Sequence, residues 1–352
     1  MVRTGSTTAI LAAVLFGVST PMAKLLVHDL SPWMLAGLLY LGSGTGLGLV
    51  RLVRGLVVSA ERSERSIRGT EWFWLLGAVL AGGIAAPVLL MSGLAATPAS
   101  SASLLLNLEG VFTALLAWFV FHEGFDRRLV AGMIAIVAGA VVLSWGGPVD
   151  IESGWAGGWG AAAVAAACLM WAVDNNLTRK VSLADPMDIA AIKGLVAGGV
   201  NVGIALALGD GMPAVPTMIA AMLVGLLGYG VSLVLFVFAL RHIGTARTGA
   251  YFSTAPFVGG IASLAMFGEP LTAGMIAAAV LMGIGVWLHL TEDHDHEHVH
   301  EEIEHDHPHV HDAHHQHGHD GPVTEPHSHR HRHGRLRHRH PHYPDAHHVH
   351  TH

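Results

Sequence analysis

The chain has a single cysteine, Cys168, among its 352 residues, which excludes an intramolecular disulfide and any site built on several thiolates. Charge is almost as scarce. Asp, Glu, Lys and Arg make up 13% of the residues and aromatic side chains 7%, against 52% hydrophobic. A soluble domain typically carries about 25% charged residues, so a mean hydropathy of +0.49 moves the chain into the membrane class. It also lacks a Gly-x4-Gly-Lys phosphate loop and a nucleophile constellation, which argues against an ATP-driven pump and against an enzyme. Its locally basic stretch, His329 to His340, has no interleaved aromatics, so it reads as a solvated segment and gives no support to nucleic-acid binding.

What is present is apolar length. A hydrocarbon core of about 30 Å needs about 20 apolar residues in a helix, and the sequence supplies ten such segments, near 6–27, 33–53, 72–95, 99–121, 128–146, 156–178, 187–208, 217–240, 246–267 and 270–290. Arg3, the group Arg51, Arg54, Arg62, Arg65 and Arg68, then Arg127 and Arg128, Arg179 and Lys180, and Arg241 and Arg247 all fall on one side of a ten-helix count. The positive-inside rule makes that side, and both termini, cytoplasmic.

The chain also repeats itself. A shift of 155 residues sets `FGVSTPMAK` (Phe16 to Lys24) on `WAVDNNLTR` (Trp171 to Arg179), and a shift of 146 sets `GVFTALLAWFVFHE` (Gly110 to Glu123) on `PFVGGIASLAMFGE` (Pro256 to Glu269). Five helices per half is odd, so the second half enters the membrane from the opposite side. Such an inverted repeat places substrate near the midplane and alternates access by rocking one bundle against the other. The expected fold is therefore all-α and integral to an inner (plasma) membrane. Its repeats are 1–148 and 149–290, followed by a separate tail, 291–352.

Two paired motifs carry a family likeness. The first and sixth segments each hold an aromatic-small pair, Phe16-Gly17 and Trp171-Ala172, with a cation following. The fourth and ninth are Ala/Gly-rich and end in Glu123 and in Gly268-Glu269-Pro270. On these residues the chain, over about 6–290, resembles the drug/metabolite transporter superfamily, EamA type. The resemblance implies transport of amino acids or other small metabolites, often export.

An ionisable side chain at membrane depth costs about 2.5 to 3.5 kcal/mol on insertion scales, which makes each one a functional candidate. Glu109 is the clearest, at the middle of the fourth segment, with Ala255 as its repeat partner. Ser100, Ser103, Asn107, Gly110, Ala114 and Ala117 form a small-residue stripe suited to helix packing, and Glu109 points away from it, toward a polar cavity. It is expected to bind a proton or a cationic substrate group; the bland alternative is a protonated carboxyl bonded to a neighbouring helix. Asp174 and Lys193 lie at similar depth and read as a structural ion pair or as snorkelling side chains. Asn107, Asn175, Tyr229, Tyr251 and Thr254 complete the expected substrate pathway. Pro21, Pro87 and Pro256 interrupt their helices where carbonyls must find other partners. Glu123 and Glu269 sit at equivalent helix ends, where a carboxylate is inexpensive and a structural role is expected.

The tail is the other feature. Residues 291–352 hold 23 of the 27 histidines, with 12 acidic and 5 basic residues, so the net charge of −7 belongs to it. It has few large apolar side chains and reads as disordered. Alternating segments such as `HDHEHVH` offer His294, His296, His298, His300, His305, His307, His309, His311, His314, His315, His317 and His319 as ligands. Imidazole with carboxylate and no thiolate suits Zn²⁺, Ni²⁺, Co²⁺ or Cu²⁺. A competing reading is a pH-responsive tail, since histidines of ordinary pKa, about 6.5, gain charge as pH falls. The preferred function is secondary transport of a small metabolite across a lipid bilayer, with a metal-binding cytoplasmic tail. Divalent-metal efflux, or a non-transporting metal buffer or sensor, are the alternatives.

Overall fold

The computed structural model describes residues 2–57, 67, 69–121, 127–145, 156–181, 184–290, 295–300, 303–309, 327–333 and 336–341. The chain divides into two compact units, Met1–Glu292 and Asp293–His352.

Among its described residues the regular structure of the first unit is all helical. Its helices are α1 (Val2–Leu26), α2 (Pro32–Val57), α3 (Glu71–Ala78), α4 (Ala86–Ala96), α5 (Ala99–Leu105), α6 (Leu108–Phe121), α7 (Arg127–Trp145), α8 (Ala156–Arg179), α9 (Pro186–Ala207), α10 (Val215–Gly225), α11 (Ser232–Phe252), α12 (Ala255–Phe267) and α13 (Ala273–Leu290). Among the described residues seven helical stretches are long and apolar enough to cross a membrane, with two shorter apolar helices at Ala255–Phe267 and Ala273–Leu288. Phe73, Ile134, Ile261 and Trp287 are 72, 63, 68 and 61% exposed. Outward faces this apolar need lipid rather than water.

Local sequence sets several boundaries. Pro32 and Pro186 open α2 and α9, where a missing N–H costs nothing, and the Asp185 carboxylate accepts the Met187 N–H at 2.9 Å as the cap of α9. Two π-helical segments interrupt long spans: Val79–Ala85 joins α3 to α4, and Leu226–Val231 joins α10 to α11. They stand 146 to 147 residues apart. The fourth apolar segment breaks at Leu106 and Asn107, where the Asn107 amide donates to Leu104 O at 2.8 Å and competes with the helical ladder.

One boundary differs from the sequence reading. A loop is expected between 240 and 246, but α11 runs on to Phe252 and the chain breaks at Ser253 and Thr254. Pro256 accounts for this, because it has no N–H for the carbonyl four residues back, that of Phe252.

Helix pairing places the core. α2 packs along α9 and α7 along α13; α1 packs against α11 and α12, while α8 packs against α4 and α6. The α2–α9 seam depends on glycine, since a Cβ on Gly44 would lie 2.4 Å from Leu195 N and one on Gly194 would lie 2.6 Å from the Gly44 Cα. Backbones this close gain dispersion contacts along their whole length, the usual source of helix association in lipid.

In the second unit the structure departs from the disorder suggested by composition. Four strands, β1 (Asp295–His300), β2 (Ile303–His309), β3 (His327–His333) and β4 (Leu336–Pro341), pair antiparallel, β1 with β4 and β2 with β3. Composition misses what alternation supplies: the His-X-His pattern has the period of a strand, and the register opposes acids to arginines. Among the expected ligands His294, His311, His314, His315, His317 and His319 lie outside the described residues.

Candidate functional site

The polar interior of the first unit is built on α8. Its Ala-rich first turns give way to Asp174, Asn175 and Asn176, and each of these is hydrogen-bonded. The Asn175 amide donates to Glu109 Oε1 at 2.8 Å and to Thr113 Oγ1 at 3.4 Å, across to α6. The Asn176 amide donates to Ala172 O at 2.9 Å within the helix and to Thr113 O at 3.4 Å. Asp174 accepts from Lys193 of α9 at both carboxylate oxygens, each 2.6 Å away, and from Thr178 Oγ1 at 2.8 Å.

Burial separates the two carboxylates. Asp174 and Lys193 have side chains only 7% and 16% exposed, and they neutralise each other. Glu109 is partly exposed and Asn175 is exposed. Among the described residues Glu109 makes no ion pair, so the neutral Asn175 amide is its hydrogen-bonding partner.

The π segment between α3 and α4 walls this site. Gly82 leaves the space that Asp174 occupies: a Cβ there would lie 1.9 Å from Asp174 Oδ2. Its carbonyl accepts from Tyr40 Oη at 2.7 Å and from Trp171 Nε1 at 3.1 Å, and the next carbonyl, Gly83 O, accepts from Asn201 Nδ2 at 3.2 Å. Such donors satisfy backbone groups that the wider π turn offers outward. Tyr229, on the second π segment, places its ring 5.6 Å from Tyr40 and 5.9 Å from Phe16, and Phe16 continues to Phe252 at 5.4 Å. Tyr40 thus links both π segments.

Of the residues expected from sequence, Glu109, Asn175, Asp174 and Lys193 come together, with Tyr229 joined to them through Tyr40. Asn107 is buried and turns toward α13, its amide 3.9 Å from Met282 Sδ. Tyr251 and Thr254 meet at the break after α11, where Thr254 Oγ1 donates to Tyr251 O at 2.6 Å. Thr113, Thr178, Tyr40, Gly82 and Asn201 are not singled out by sequence. Thr113 and Thr178 stand four residues after Glu109 and Asp174, a helical spacing that could have flagged them. Tyr40 and Gly82 carry no such signal, because their role comes from packing between separate spans. No group of three or more His, Cys, Asp or Glu suited to a metal occurs among the described residues.

At one end of the bundle, contacts tie distant parts of the chain. Glu269, just past α12, caps α5 by accepting the N–H of Ala99 at 2.9 Å and of Ser100 at 3.1 Å, together with the Ser100 hydroxyl. Lys24 donates to the last carbonyls before that helix, Leu94 O and, at 3.1 Å, Thr97 O. Ser31 donates to Asp210. Elsewhere Arg51 binds Asp185 at 2.9 Å and Asp188 at 2.5 Å, joining the end of α2 to the start of α9. Glu123 lies outside the described residues.

Apolar outer faces around a hydrogen-bonded polar interior define a multi-pass membrane protein. The EamA-like transporter family matches residues 3–145 and again 158–291, and the chain belongs to that family. It is 29% identical over 292 residues to an uncharacterized transporter of Methanothermobacter thermautotrophicus, covering 81% of this chain and 85% of the other. It is 25% identical to a probable amino-acid metabolite efflux pump of Salmonella typhimurium, covering 80% and 93%. A shorter match, 36% over 110 residues, is to a probable 4-amino-4-deoxy-L-arabinose-phosphoundecaprenol flippase subunit of Pseudomonas paraeruginosa, covering 31% of this chain and 92% of that one. A solved crystal structure shares the fold, with a TM-score of 0.58 at 17% identity over 80% of this chain and 95% of that one.

Proposed function

We propose that this protein is a secondary transporter that exports a small, amino-bearing metabolite from the cytoplasm across the inner membrane, with Glu109 loading either a proton or the cationic group of the substrate. The observation that carries this reading is the charge balance of the site: Asp174 is matched by Lys193, whereas the partly exposed Glu109 has only an amide beside it. An unmatched carboxylate at membrane depth is costly, and a proton or an ammonium group would remove that cost. The aromatic rings of Tyr40, Tyr229 and Phe16 are the kind of wall that accepts an ammonium group. Amino-acid metabolite efflux is named for the Salmonella relative and supports the same solute class.

The scaffold we infer is ten spans in a five-plus-five inverted repeat, with both termini cytoplasmic. Support comes from the two family matches, from π segments and helix breaks at corresponding positions in the two halves, and from repeat mates α2 and α9, and α7 and α13, packing on each other. We read the tail, 291–352, as a cytoplasmic arm that binds divalent metal and regulates or supplies the carrier rather than forming its pathway.

Flux into inverted vesicles tests the central reading. Amino-acid uptake driven by an imposed pH gradient should be lost on Glu109→Gln. Full uptake by that variant, with an unchanged pH profile, would rule out the loading role.

A further inference from the structure

The two family repeats exchange their opening spans. α1 and α2 belong by chain order to the first repeat, yet α1 packs on α11, α12 and the second π segment, and α2 packs on α10 and that same segment as well as on α9. Glycine and polar contacts fix these placements. Gly17 leaves no room for a Cβ beside Ala255 O, and Gly42 none beside Met222 O; Ser232 Oγ donates to Ala12 O at 2.9 Å. α8 and α9 make the reciprocal move, α8 packing on α3, α4 and α6 and α9 on the first π segment. A Cβ on Gly93 would lie 2.7 Å from Val164 Cγ2 and one on Gly83 2.6 Å from Ala197 Cβ, while Gly160 leaves its space to the Thr97 hydroxyl. Trp171, Asn175 and Asn176 add the hydrogen bonds to Gly82, Glu109 and Thr113.

Backbones held this close cannot slide without driving one peptide into another, and packed interfaces of this kind switch as wholes instead of deforming. Packing, not chain order, therefore decides which spans travel together. One bundle is α1, α2, α10, α11 and α12; the other is α8, α9, α3, α4 and α6. The site is divided between them. Glu109, Thr113, Asp174 and Asn175 stand on the α8 bundle, whereas the rings of Phe16, Tyr229 and Phe252 stand on the α1 bundle, with Phe16 5.9 Å from Tyr229 and 5.4 Å from Phe252. At one end a polar tie crosses from bundle to bundle inside a single repeat: Lys24 of α1 donates to Leu94 O and to Thr97 O, the latter at 3.1 Å.

We propose that the bodies that rock in this carrier are these two cross-repeat bundles, not residues 1–148 against 149–290, and that the cationic group of the substrate is clasped between Glu109 on one and the rings of Phe16 and Tyr229 on the other. This rests on the reading of the protein as a carrier of amino-bearing solutes and specifies how its site is assembled. The bundles meet along α2 and α9, whose close approach at Gly44 and Gly194 serves as the pivot. Release of Lys24 from Leu94 and Thr97 parts them at the outer end, and the parting draws the rings away from the carboxylate. A cation loses both its ion pair and its π face in one movement.

Covalent staples in a Cys168→Ser background test this, each linked protein being compared with its own unlinked form for amino-acid flux in inverted vesicles. Thr97→Cys with Gly160→Cys, and Ala12→Cys with Ser232→Cys, join the two repeats but stay inside one bundle; oxidised to disulfides, both should keep most of their flux. Lys24→Cys with Thr97→Cys stays inside one repeat but joins the bundles, and bridging it with a short bis-maleimide should lower flux about tenfold or more. The reverse pattern, loss with all three staples, or retention with all three would overturn the proposal, as would failure of either disulfide to form. If the unlinked proteins and the wild type move no amino acid, the solute reading fails by itself. Spin-label distances between pH 5.5 and 8 then decide the bundles without a substrate: Leu11→Cys to Leu233→Cys, within a bundle, should stay fixed, while Leu25→Cys to Leu80→Cys, between bundles, should shift or broaden. A fixed second distance, or a shifting first one, would overturn the proposal.

Discussion

Gly82 and Asp174 share one small volume: a methyl group on Gly82 would lie 1.9 Å from Asp174 Oδ2. The π segment therefore fixes where the ion pair stands, and through Asn175, the next residue on α8, where Glu109 is held.

Gly82→Ala should displace the Asp174 carboxylate and loosen the bonds from Lys193 and Thr178. Overpacking of this kind costs about 1 to 3 kcal/mol. A lowered thermal midpoint of the purified protein, with transport reduced more than expression, is the expected result. Wild-type stability and flux would show that the segment yields without consequence.

Lys193→Met should be far more damaging than the double change Lys193→Met with Asp174→Asn. Removing one partner of a buried pair leaves an uncompensated charge, at about 3 to 5 kcal/mol, while removing both is often close to neutral for stability. Thermal unfolding of the two single variants and the double variant checks this. Recovery of stability without recovery of flux would separate the scaffold role of the pair from any part in transport.

Glu269→Gln should weaken the cap on α5, because a charged acceptor at a helix N-terminus is worth about 1 kcal/mol. If this contact helps to close its end of the bundle, a membrane-impermeant thiol reagent added on that side should label a cysteine at Thr113 about fivefold faster in the variant. Replacing Cys168 by Ser first removes the one native thiol, which is buried. An unchanged labelling rate would make the cap purely structural.

Much of the first unit was legible in the sequence because lipid imposes a simple rule: apolar length writes the spans, and an ionisable group inside one stands out. Glu109, Asp174 and Lys193, which the structure brings together around α8, were singled out in this way. The π segments were not, since hydropathy is indifferent to whether a turn closes on the fourth or the fifth residue. Tyr40 and Gly82 were missed because an aromatic and a glycine in apolar helices carry no mark of the polar residue they will meet. The break at Ser253 was displaced from its expected place because loss of apolar character around Arg241 was read as a helix end, whereas Pro256 sets the end through a missing N–H. In the tail, composition spoke for disorder while the alternation of histidine with charge carried the strand register.

Each π segment also works as a phase shift. One residue added to a helical turn rotates everything beyond it by roughly 100° about the axis, so the span containing Gly82 and the span containing Tyr229 each present two differently aimed faces. Since Tyr40 touches both segments, deleting a residue from either one would turn half a span away from its neighbours. A single-residue deletion there would re-aim the interior more than most substitutions within it.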